Sequence, residues 1–255
     1  MVGFKDFKKG FELSFTLAAI QFKERNEGSY LGILWYLLNP LLMFTLLLLI
    51  FGDRVGGSIE QYPLYLLLGI VTFNYFQRVT SESSNAIIVH KGIVKSVNFS
   101  RASLIFGIAL AHLFSHIFEL LLIAGFLLYF GASLSGLIIY PVVLFFFALF
   151  TCGVSFLLSA LNVYFIDLNH IWTFITRLLW LGTPIFYSIG GQTRLYYVSL
   201  INPLYYFITI IRDLLIYRRI SEAWMIGAAV FYGIVAFAIG FWVFNKLKRR
   251  FAELI

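Results

Sequence analysis

Six runs of mainly apolar residues, each long enough to cross a lipid bilayer, occupy most of this 255-residue chain. A membrane-spanning helix needs about 20 consecutive, predominantly apolar residues. The chain meets this requirement at residues 31–52, 62–80, 104–130, 137–165, 170–188 and 223–245. We therefore predict an all-α polytopic membrane protein with six transmembrane helices, spans one to six in chain order.

The segment before span one has a helical pattern of its own. Apolar residues recur at intervals of three and four positions, which places them on one helical face, at Phe4, Phe7, Phe11, Phe15, Ala18 and Phe22. Lys5, Lys9 and Glu12 lie off that face. Because a helix with an apolar face and a charged face lies in the membrane interface, we predict that residues 1–29 form an amphipathic interface helix with its linker. Residues 30–255 then form the six-span domain.

Residues 195–217 are hydrophobic, but Asn202-Pro203 interrupts them. Proline disfavours helix in the residue before it, so this stretch divides into two pieces that are each too short to span. Irregular backbone at membrane depth is tolerated only where protein buries it or where it lines a cavity. We therefore predict re-entrant half-helices between spans five and six.

The distribution of positive charge predicts the topology. Only 12% of the residues are charged, against about 25% in soluble domains. Thirteen of the nineteen Lys and Arg residues fall before span one, in the loop after span two, or after span six, whereas the first opposite loop carries only Arg54. The positive-inside rule then places both termini in the cytoplasm. Since topology accounts for the net charge of +7, no nucleic-acid partner is expected.

The predicted cytoplasmic loop at residues 81–103 is long for a six-span bundle. It mixes short apolar runs with Lys91, Lys95 and Arg101. This composition is typical of a short helix across the membrane surface, where a cytosolic partner can reach it. A solvated connector fits the same residues equally well, and both interpretations stay open.

Span five carries its hydrogen-bonding and amphipathic residues on one side, at spacings of three and four, and Arg177 flanks that side. Spans one and two carry similar stripes. Polar groups in a bilayer face the bundle interior or a water-filled path, although Gly, Thr and Asn are also common in helix packing. A conduit and simple packing are therefore both open. The candidate conduit residues are Trp35, Tyr36, Asn39, Tyr65, Phe73, Trp172, Thr176, Trp180, Thr183 and Tyr187.

The residue types in these stripes limit the cargo. Trp and Tyr offer flat apolar faces with one polar edge, on which the C–H faces of sugar rings stack. An ion path would need fixed charges, and the stripes carry few. A conduit of this kind suits a sliding sugar polymer.

Span three places His112, His116 and Glu119 on one helical face. Two histidines and a carboxylate can ligate a catalytic metal, but the order differs from the H-E-x-x-H pattern of zinc proteases. A buried polar network is the favoured interpretation, in which Glu119 pairs with a histidine or with Arg177. We therefore expect no metal site, and a membrane-embedded enzyme is the less favoured alternative.

The sequence contains no G-x-x-x-x-G-K-[ST] pattern, which is the phosphate-binding loop of many ATPases. We expect no cofactor in this chain. If the protein drives active transport, the energy must come from another subunit or from an ion gradient. Glu119 is the one acidic residue deep in a span, which disfavours the ion gradient.

Four blocks of the sequence resemble one family of transport proteins. They are residues 22–52 (FKERNEGSYLGILWYLLNPLLMFTLLLLIFG), 62–76 (YPLYLLLGIVTFNYF), 162–188 (NVYFIDLNHIWTFITRLLWLGTPIFYS) and 200–215 (LINPLYYFITIIRDLL). In this order they are similar to the permease subunits of bacterial polysaccharide and polyol-phosphate ABC exporters, close to the O-antigen (lipopolysaccharide) exporter permeases. The chain departs from the family pattern at Phe99-Ser100-Arg101, where F-P-R is common, and at Ile166-Asp167, where Arg often precedes the acid.

The resemblance implies a homodimeric channel with two copies of a separate cytosolic ATPase docked below it, and ATP and Mg would bind to that partner. The cargo would be a polysaccharide linked to polyprenyl pyrophosphate, exported across the bacterial inner membrane. A permease of the same type for teichoic acid, capsule or drugs is the alternative.

The resemblance also assigns two further sets of residues. The loop at 81–103 would supply a coupling helix that meets the ATPase, with candidate residues Asn85, His90, Lys91, Lys95, Phe99 and Arg101. Residues 195–217 would form gate helices at the outer mouth, with candidate residues Tyr196, Tyr197, Asn202, Pro203, Tyr205 and Arg212.

Overall fold

The structure is a computed structural model that describes residues 4–27, 30–96, 99–165, 167–190 and 192–254. These residues form helices joined by short connections, which confirms the predicted all-α class. The helices are α1 (Phe4–Asn26), α2 (Trp35–Val55), α3 (Tyr62–Val89), α4 (Lys91–Ser96), α5 (Ala102–Tyr129), α6 (Gly136–Asn162), α7 (Leu168–Gly182), α8 (Thr193–Ile201), α9 (Pro203–Leu215), α10 (Ala223–Leu247) and α11 (Phe251–Leu254).

Four helical stretches in the described residues are long and apolar enough to cross a membrane. They are Gly32–Ser58, Ala102–Tyr129, Gly136–Asn162 and Ala223–Arg250. The bent pair α8 and α9 makes a fifth if it counts as one span. Predicted spans two and five correspond to α3 and α7, which do not meet the same criterion, so the number six stays a prediction.

Helix α3 is the central element of the fold. Most of its residues from Tyr62 to Ile87 are buried, and it packs against α2, α5, α6, α7 and α9. A helix that is apolar around its circumference is stable only when other elements surround it. The remaining helices are therefore positioned largely by their contacts with α3.

Helices α6 and α10 cross at very short range because both carry glycine at the crossing. A Cβ atom added at Gly240 would collide with the backbone carbonyl oxygen of Gly153. One added at Gly233 would lie 2.9 Å from the carbonyl oxygen of Phe146. Small residues of this kind let helix backbones approach in membranes, and here they attach α10 to the bundle.

Helix α1 packs along α5 through small residues. Ser14 and Ala18 are buried, and the side chain of Ser103 donates a 2.8 Å hydrogen bond to the carbonyl oxygen of Gly10. Phe11 and Phe15 remain exposed, so the predicted aromatic face is directed partly away from the bundle. The side chains of Phe4 and Phe7 lie outside the described residues, and the interfacial position of α1 stays a prediction.

The helical part of predicted span five is shorter than the apolar run. Helix α7 has 15 residues and ends at Gly182, six positions before the predicted boundary, because Thr183 is extended ahead of Pro184.

Proline interrupts the next hydrophobic stretch as well. Helices α8 and α9 meet at Asn202 with a bend of 104°, which confirms the predicted break, whereas the re-entrant position stays a prediction.

Candidate functional site

The ten candidate conduit residues divide into two groups in the structure. Five are buried between helices of the same chain, namely Tyr65, Phe73, Trp172, Thr176 and Thr183. The other five are exposed or half-buried, namely Trp35, Tyr36, Asn39, Trp180 and Tyr187. The candidates therefore do not share one open surface within a single chain, and their role in a conduit stays a prediction.

The buried stripe of α7 attaches this helix to α3. The indole nitrogen of Trp172 donates to the hydroxyl of Thr80 over 3.2 Å, and its ring packs edge-on against Phe76. Eight residues further along α7 and three residues earlier along α3, the rings of Trp180 and Phe73 are in edge-to-face contact with 4.9 Å between their centroids. Helix packing was one of the two open interpretations of this stripe, and the stripe does pack against α3 of the same chain.

The opposite side of α7 is exposed. It carries the apolar side chains Ile171, Phe174, Leu178 and Leu181, together with the polar residues His170, Thr173 and Arg177. This side of α7 therefore presents a mixed apolar and polar surface outside the protomer.

Arg212 of α9 holds the non-helical segment 183–188 that follows α7. Its guanidinium donates to the carbonyl oxygens of Pro184 over 2.6 Å, of Ile185 over 2.9 Å, and of Tyr65 over 2.9 Å and 3.1 Å. Arg212 is almost fully buried. We call this arrangement the carbonyl clamp. It satisfies backbone oxygens of Pro184 and Ile185, which lie beyond the end of α7 in a segment without helical hydrogen bonds.

Three further side chains support the carbonyl clamp. The hydroxyl of Tyr62 donates to the carbonyl oxygen of Phe186 over 2.9 Å, and the hydroxyl of Tyr65 donates to that of Tyr187 over 2.9 Å. The amide nitrogen of Asn202 donates to the hydroxyl of Thr183 over 2.7 Å. Protein groups thus satisfy the backbone oxygens of this irregular segment, as irregular backbone within a bilayer would require.

The other candidate gate residues lie around the carbonyl clamp. Asn202 also caps α9 by accepting a 3.1 Å hydrogen bond from the backbone nitrogen of Leu204, and Pro203 is the first residue of that helix, where proline is favoured. Tyr205 borders a cavity of about 190 Å³ beside Arg212. Tyr196 and Tyr197 are exposed on α8. Asn202 and Arg212 therefore act together on segment 183–188.

A charged network joins α3, α5 and α6 around Glu119. Glu119 accepts a 2.7 Å hydrogen bond from Nδ1 of His116 and forms an ion pair with Arg78. His116 also contacts the hydroxyl of Tyr140 through Nε2, over 2.7 Å. The expected pairing of Glu119 with a histidine is thus confirmed, and the alternative pairing with Arg177 is wrong because Arg78 supplies the cation.

His112 belongs to a separate cluster. Its Nε2 lies 2.8 Å from Oε2 of Glu82, and the same carboxylate binds Arg25 of α1 over 2.5 Å. The two histidines therefore have different partners. Among the residues that the structure describes, no group of three or more His, Cys, Asp and Glu side chains is placed to hold a metal ion.

The candidate coupling residues surround the short helix α4. Lys91 and Lys95 are exposed, whereas Val94 is buried, which gives α4 an inner and an outer face. Asn85 accepts a 3.0 Å hydrogen bond from Asn162 at the end of α6. The two lysines are thus the candidates on α4 that a partner can reach.

The remaining coupling candidates join helix ends. His90 closes the end of α3 through its backbone nitrogen, and Phe99 packs against the core. Arg101 donates to the backbone carbonyl of Lys248 after α10. These three residues hold the loop in position, and they contribute less to its outer surface.

Sequence reasoning missed three residues of these sites. The count of positive charges that predicts the topology includes Arg78 with the loop after span two, but the residue lies within α3 and pairs with Glu119. Glu82 and Tyr62 were not singled out. A signal was present for Arg78, since it falls within the last residues of predicted span two, and a charge inside a span usually pairs with another group. Tyr62 carries no such signal, because its partner is a backbone carbonyl that only the fold brings near.

Comparisons with known proteins agree with this architecture. The sequence model of the ABC-2 type transporter family matches residues 12–216. Two O-antigen export system permease proteins RfbA of Klebsiella pneumoniae are 29% and 27% identical over 248 residues, which cover 96% of this chain and 95% of each relative. RfbA of Myxococcus xanthus is 25% identical over 248 residues, with 95% of both chains covered. The family match spans most of a multi-pass helical membrane protein, and the chain therefore belongs to the ABC-2 type transporter family.

Proposed function

We propose that the chain is the channel-forming membrane subunit of an ATP-driven exporter of polysaccharide. The cargo is an O-antigen-like glycan linked to polyprenyl pyrophosphate, moved from the cytoplasm across the bacterial inner membrane. The observation that carries the proposal is the similarity to O-antigen export permeases over nearly the whole chain. Both termini lie in the cytoplasm.

The outer faces of the helices support assembly in lipid as a homodimer. Helix α2 exposes Leu42, Leu46 and Leu49, and α7 exposes Phe174 and Leu178. Large exposed apolar surfaces mark contacts with membrane or with other protein chains. A second copy of the chain and membrane lipid together cover these faces in the proposed assembly.

The amphipathic helix α4 supports docking of a cytosolic ATPase. Its buried Val94 fixes it to the bundle, while Lys91 and Lys95 remain accessible. Helix α4 contacts both α3 and α11, so displacement of α4 is transmitted directly to the central helix. Two ATPase copies bind ATP and Mg, and their movement acts on the membrane dimer through this contact.

Co-purification tests the proposal. The chain is expressed with the ATPase that is encoded beside it in the genome, and the mass of the detergent-solubilised complex is measured. We expect two copies of each subunit and ATPase activity that responds to polyprenyl-pyrophosphate-linked glycan. The variant Lys91→Glu with Lys95→Glu should lower the recovery of ATPase several-fold, because it reverses the charge of the accessible face.

Arg218→Glu is the matched control, since Arg218 is an exposed cation far along the chain from α4. It should leave the complex intact. A chain that purifies alone in the presence of the ATPase would contradict the proposal. A stable complex whose ATPase responds to another lipid-linked polymer or to drugs, but not to glycan, would keep the transporter class and replace the cargo.

A further inference from the structure

Arg177 is an exposed cation on the outward side of α7. No hydrogen bond, ion pair or ring contact involves its side chain among the described residues. The other charged side chains near the bundle centre are paired, since Glu119 binds Arg78 and Arg212 forms the carbonyl clamp. The Arg177 guanidinium therefore has no partner among the described residues of the protomer.

The position of Arg177 along α7 is deep. Nine residues separate it from Leu168, the first residue of the helix, which corresponds to about 13 Å along the axis. Trp172 and Trp180, which precede and follow it, contact Phe76 and Phe73 in the buried part of α3. The side chain thus lies at the level of the bundle core.

An unpaired guanidinium at this depth is costly in hydrocarbon. Insertion scales give about 2.5–3.5 kcal/mol for an arginine at the centre of a membrane helix. The cost is avoided when the side chain faces a water-filled path or a fixed anion. The outward side of α7 at Arg177 is therefore unsuited to face lipid.

Two further polar residues lie on the same side. His170 and Thr173 precede Arg177 by seven and four positions, which places the three on one helical face, and all three are exposed. They extend from the beginning of α7 towards its centre. This polar line borders the predicted span-five stripe, to which Thr173 belongs and which Arg177 flanks. The central members of that stripe, Trp172 and Thr176, are buried against neighbouring helices.

We propose that Arg177 binds the anionic group of the cargo, and that the face with His170, Thr173 and Arg177 borders the export path. The anion is either the diphosphate of the lipid carrier or an acidic sugar of the glycan. A guanidinium forms charge-assisted hydrogen bonds with both groups. The identity of the cargo rests on the proposed function, whereas the exposure of this face to water does not.

The first test measures ATPase stimulation in the purified complex with its ATPase. The probes are undecaprenyl diphosphate carrying a neutral oligosaccharide and the same lipid carrying an acidic one. We expect Arg177→Gln to raise the half-maximal probe concentration about tenfold, the loss of one favourable contact, and Arg177→Lys to raise it less. The control Arg54→Gln, at the end of α2, should match the wild type.

The two probes distinguish the sources of the anion. A loss with both probes identifies the diphosphate, and a loss with the acidic probe alone identifies the sugar. Unchanged stimulation of Arg177→Gln by both probes overturns the proposal. Dissociation of the Arg177→Gln dimer also overturns it, because the arginine would then pair with the second copy of the chain.

The second test does not depend on the cargo. In a Cys152→Ser background, Arg177→Cys is treated with a charged methanethiosulfonate reagent, and Leu121→Cys on the exposed apolar side of α5 serves as the lipid-facing control. We expect modification of Arg177→Cys alone. Reactivity as low as that of Leu121→Cys overturns the proposal.

Inorganic diphosphate then tests anion binding to this face. We expect diphosphate to lower the rate at which the reagent modifies the Thr173→Cys variant, which retains Arg177. In the double variant, Thr173→Cys with Arg177→Gln, diphosphate should leave the modification rate unchanged. Equal rates with and without diphosphate in both variants overturn the proposal. Diphosphate could protect Thr173→Cys while no lipid-linked glycan stimulates the wild-type ATPase. That result would contradict the proposed cargo but would still support an anion-binding site at Arg177.

Discussion

The guanidinium of Arg212 lies over the ring of Tyr65, with its central carbon 3.3 Å from the ring centroid. The same guanidinium donates to the backbone carbonyl oxygen of Tyr65. One residue of α3 thus supplies both a π face and a hydrogen-bond acceptor to one residue of α9. This contact joins the central helix to the segment after α7, and it makes Arg212 a structural centre of the predicted outer gate.

Replacing Arg212 with lysine should open the carbonyl clamp. Lysine keeps the charge but lacks the planar fork that reaches several acceptors at once, so carbonyl oxygens of segment 183–188 lose their partners. We expect a loss of about 2–3 kcal/mol in stability, measured as a lower thermal midpoint of the detergent-solubilised complex. Arg219→Lys is the control, because Arg219 is largely exposed. Equal midpoints for the two variants would show that Arg212 does not hold the segment.

Gly69→Ala should disturb the same contact from the side of α3. An added Cβ atom would lie 2.5 Å from Nη2 of Arg212 and 3.2 Å from the carbonyl oxygen of Ile185. The effect on the thermal midpoint should therefore have the same direction as that of Arg212→Lys. Because both changes act on one contact, the double variant should lose less than the sum of the single losses.

Gly57→Ala is the matched control for this position. An added Cβ atom at Gly57 meets no atom within 4 Å, so the thermal midpoint should stay near the wild-type value. Full additivity of Gly69→Ala and Arg212→Lys would contradict the carbonyl clamp as a single unit.

Part of this region could be predicted from local rules. The break at Asn202-Pro203 follows from the restriction that proline imposes on the preceding residue, and the structure has it. The same rule at Thr183-Pro184 would have ended span five early, but the apolar run extends beyond it and favoured a longer helix. What Arg212 binds could not be predicted, because its acceptors are main-chain atoms brought together only by the fold.

Gly240→Ala should separate α10 from α6. The added methyl group would collide with the backbone of Gly153, and backbone atoms cannot move aside as a flexible side chain can. We expect loss of folded protein in size-exclusion chromatography, with a destabilisation of about 1–3 kcal/mol. Gly227→Ala on the same helix is the control, since its added atom meets nothing. A Gly240→Ala protein as stable as Gly227→Ala would refute the close crossing.

Glu119→Gln should destabilise the bundle. Arg78 and His116 would then face a neutral amide at a buried position, and removal of one partner of a buried ion pair costs about 3–5 kcal/mol. The measurement is the thermal midpoint, with Glu27→Gln as the control because Glu27 belongs to an exposed ion pair with Lys23. A double change of Arg78→Met with Glu119→Leu should recover part of the loss, because no charge remains unpaired.

The histidines of α5 should affect stability rather than activity. His112→Ala and His116→Ala each remove a partner from a different carboxylate, so both variants should lower the thermal midpoint. Export per assembled complex should stay within about a factor of two of the wild type, since the residues support packing. Complete loss of activity in a fully assembled complex would instead favour the enzyme that the histidine spacing first suggested.

The candidate site was only partly predictable, for a physical reason that α7 illustrates. The spacing of Trp172 and Thr176 correctly places them on one helical face, but spacing does not tell which neighbour covers that face. The structure buries these residues and leaves Thr173 and Arg177 outside. Sequence periodicity therefore predicts faces, and only the packing around α3 decides which face is free for cargo.

A transport assay tests the proposed export function most directly. Inverted inner-membrane vesicles containing this chain and its ATPase are supplied with radiolabelled polyprenyl-pyrophosphate-linked glycan and ATP, and glycan protected inside the vesicles is counted. We expect ATP-dependent accumulation that disappears when the ATPase is inactivated by mutation. Accumulation equal to that of vesicles lacking this chain, with both subunits present and assembled, would contradict the proposed function.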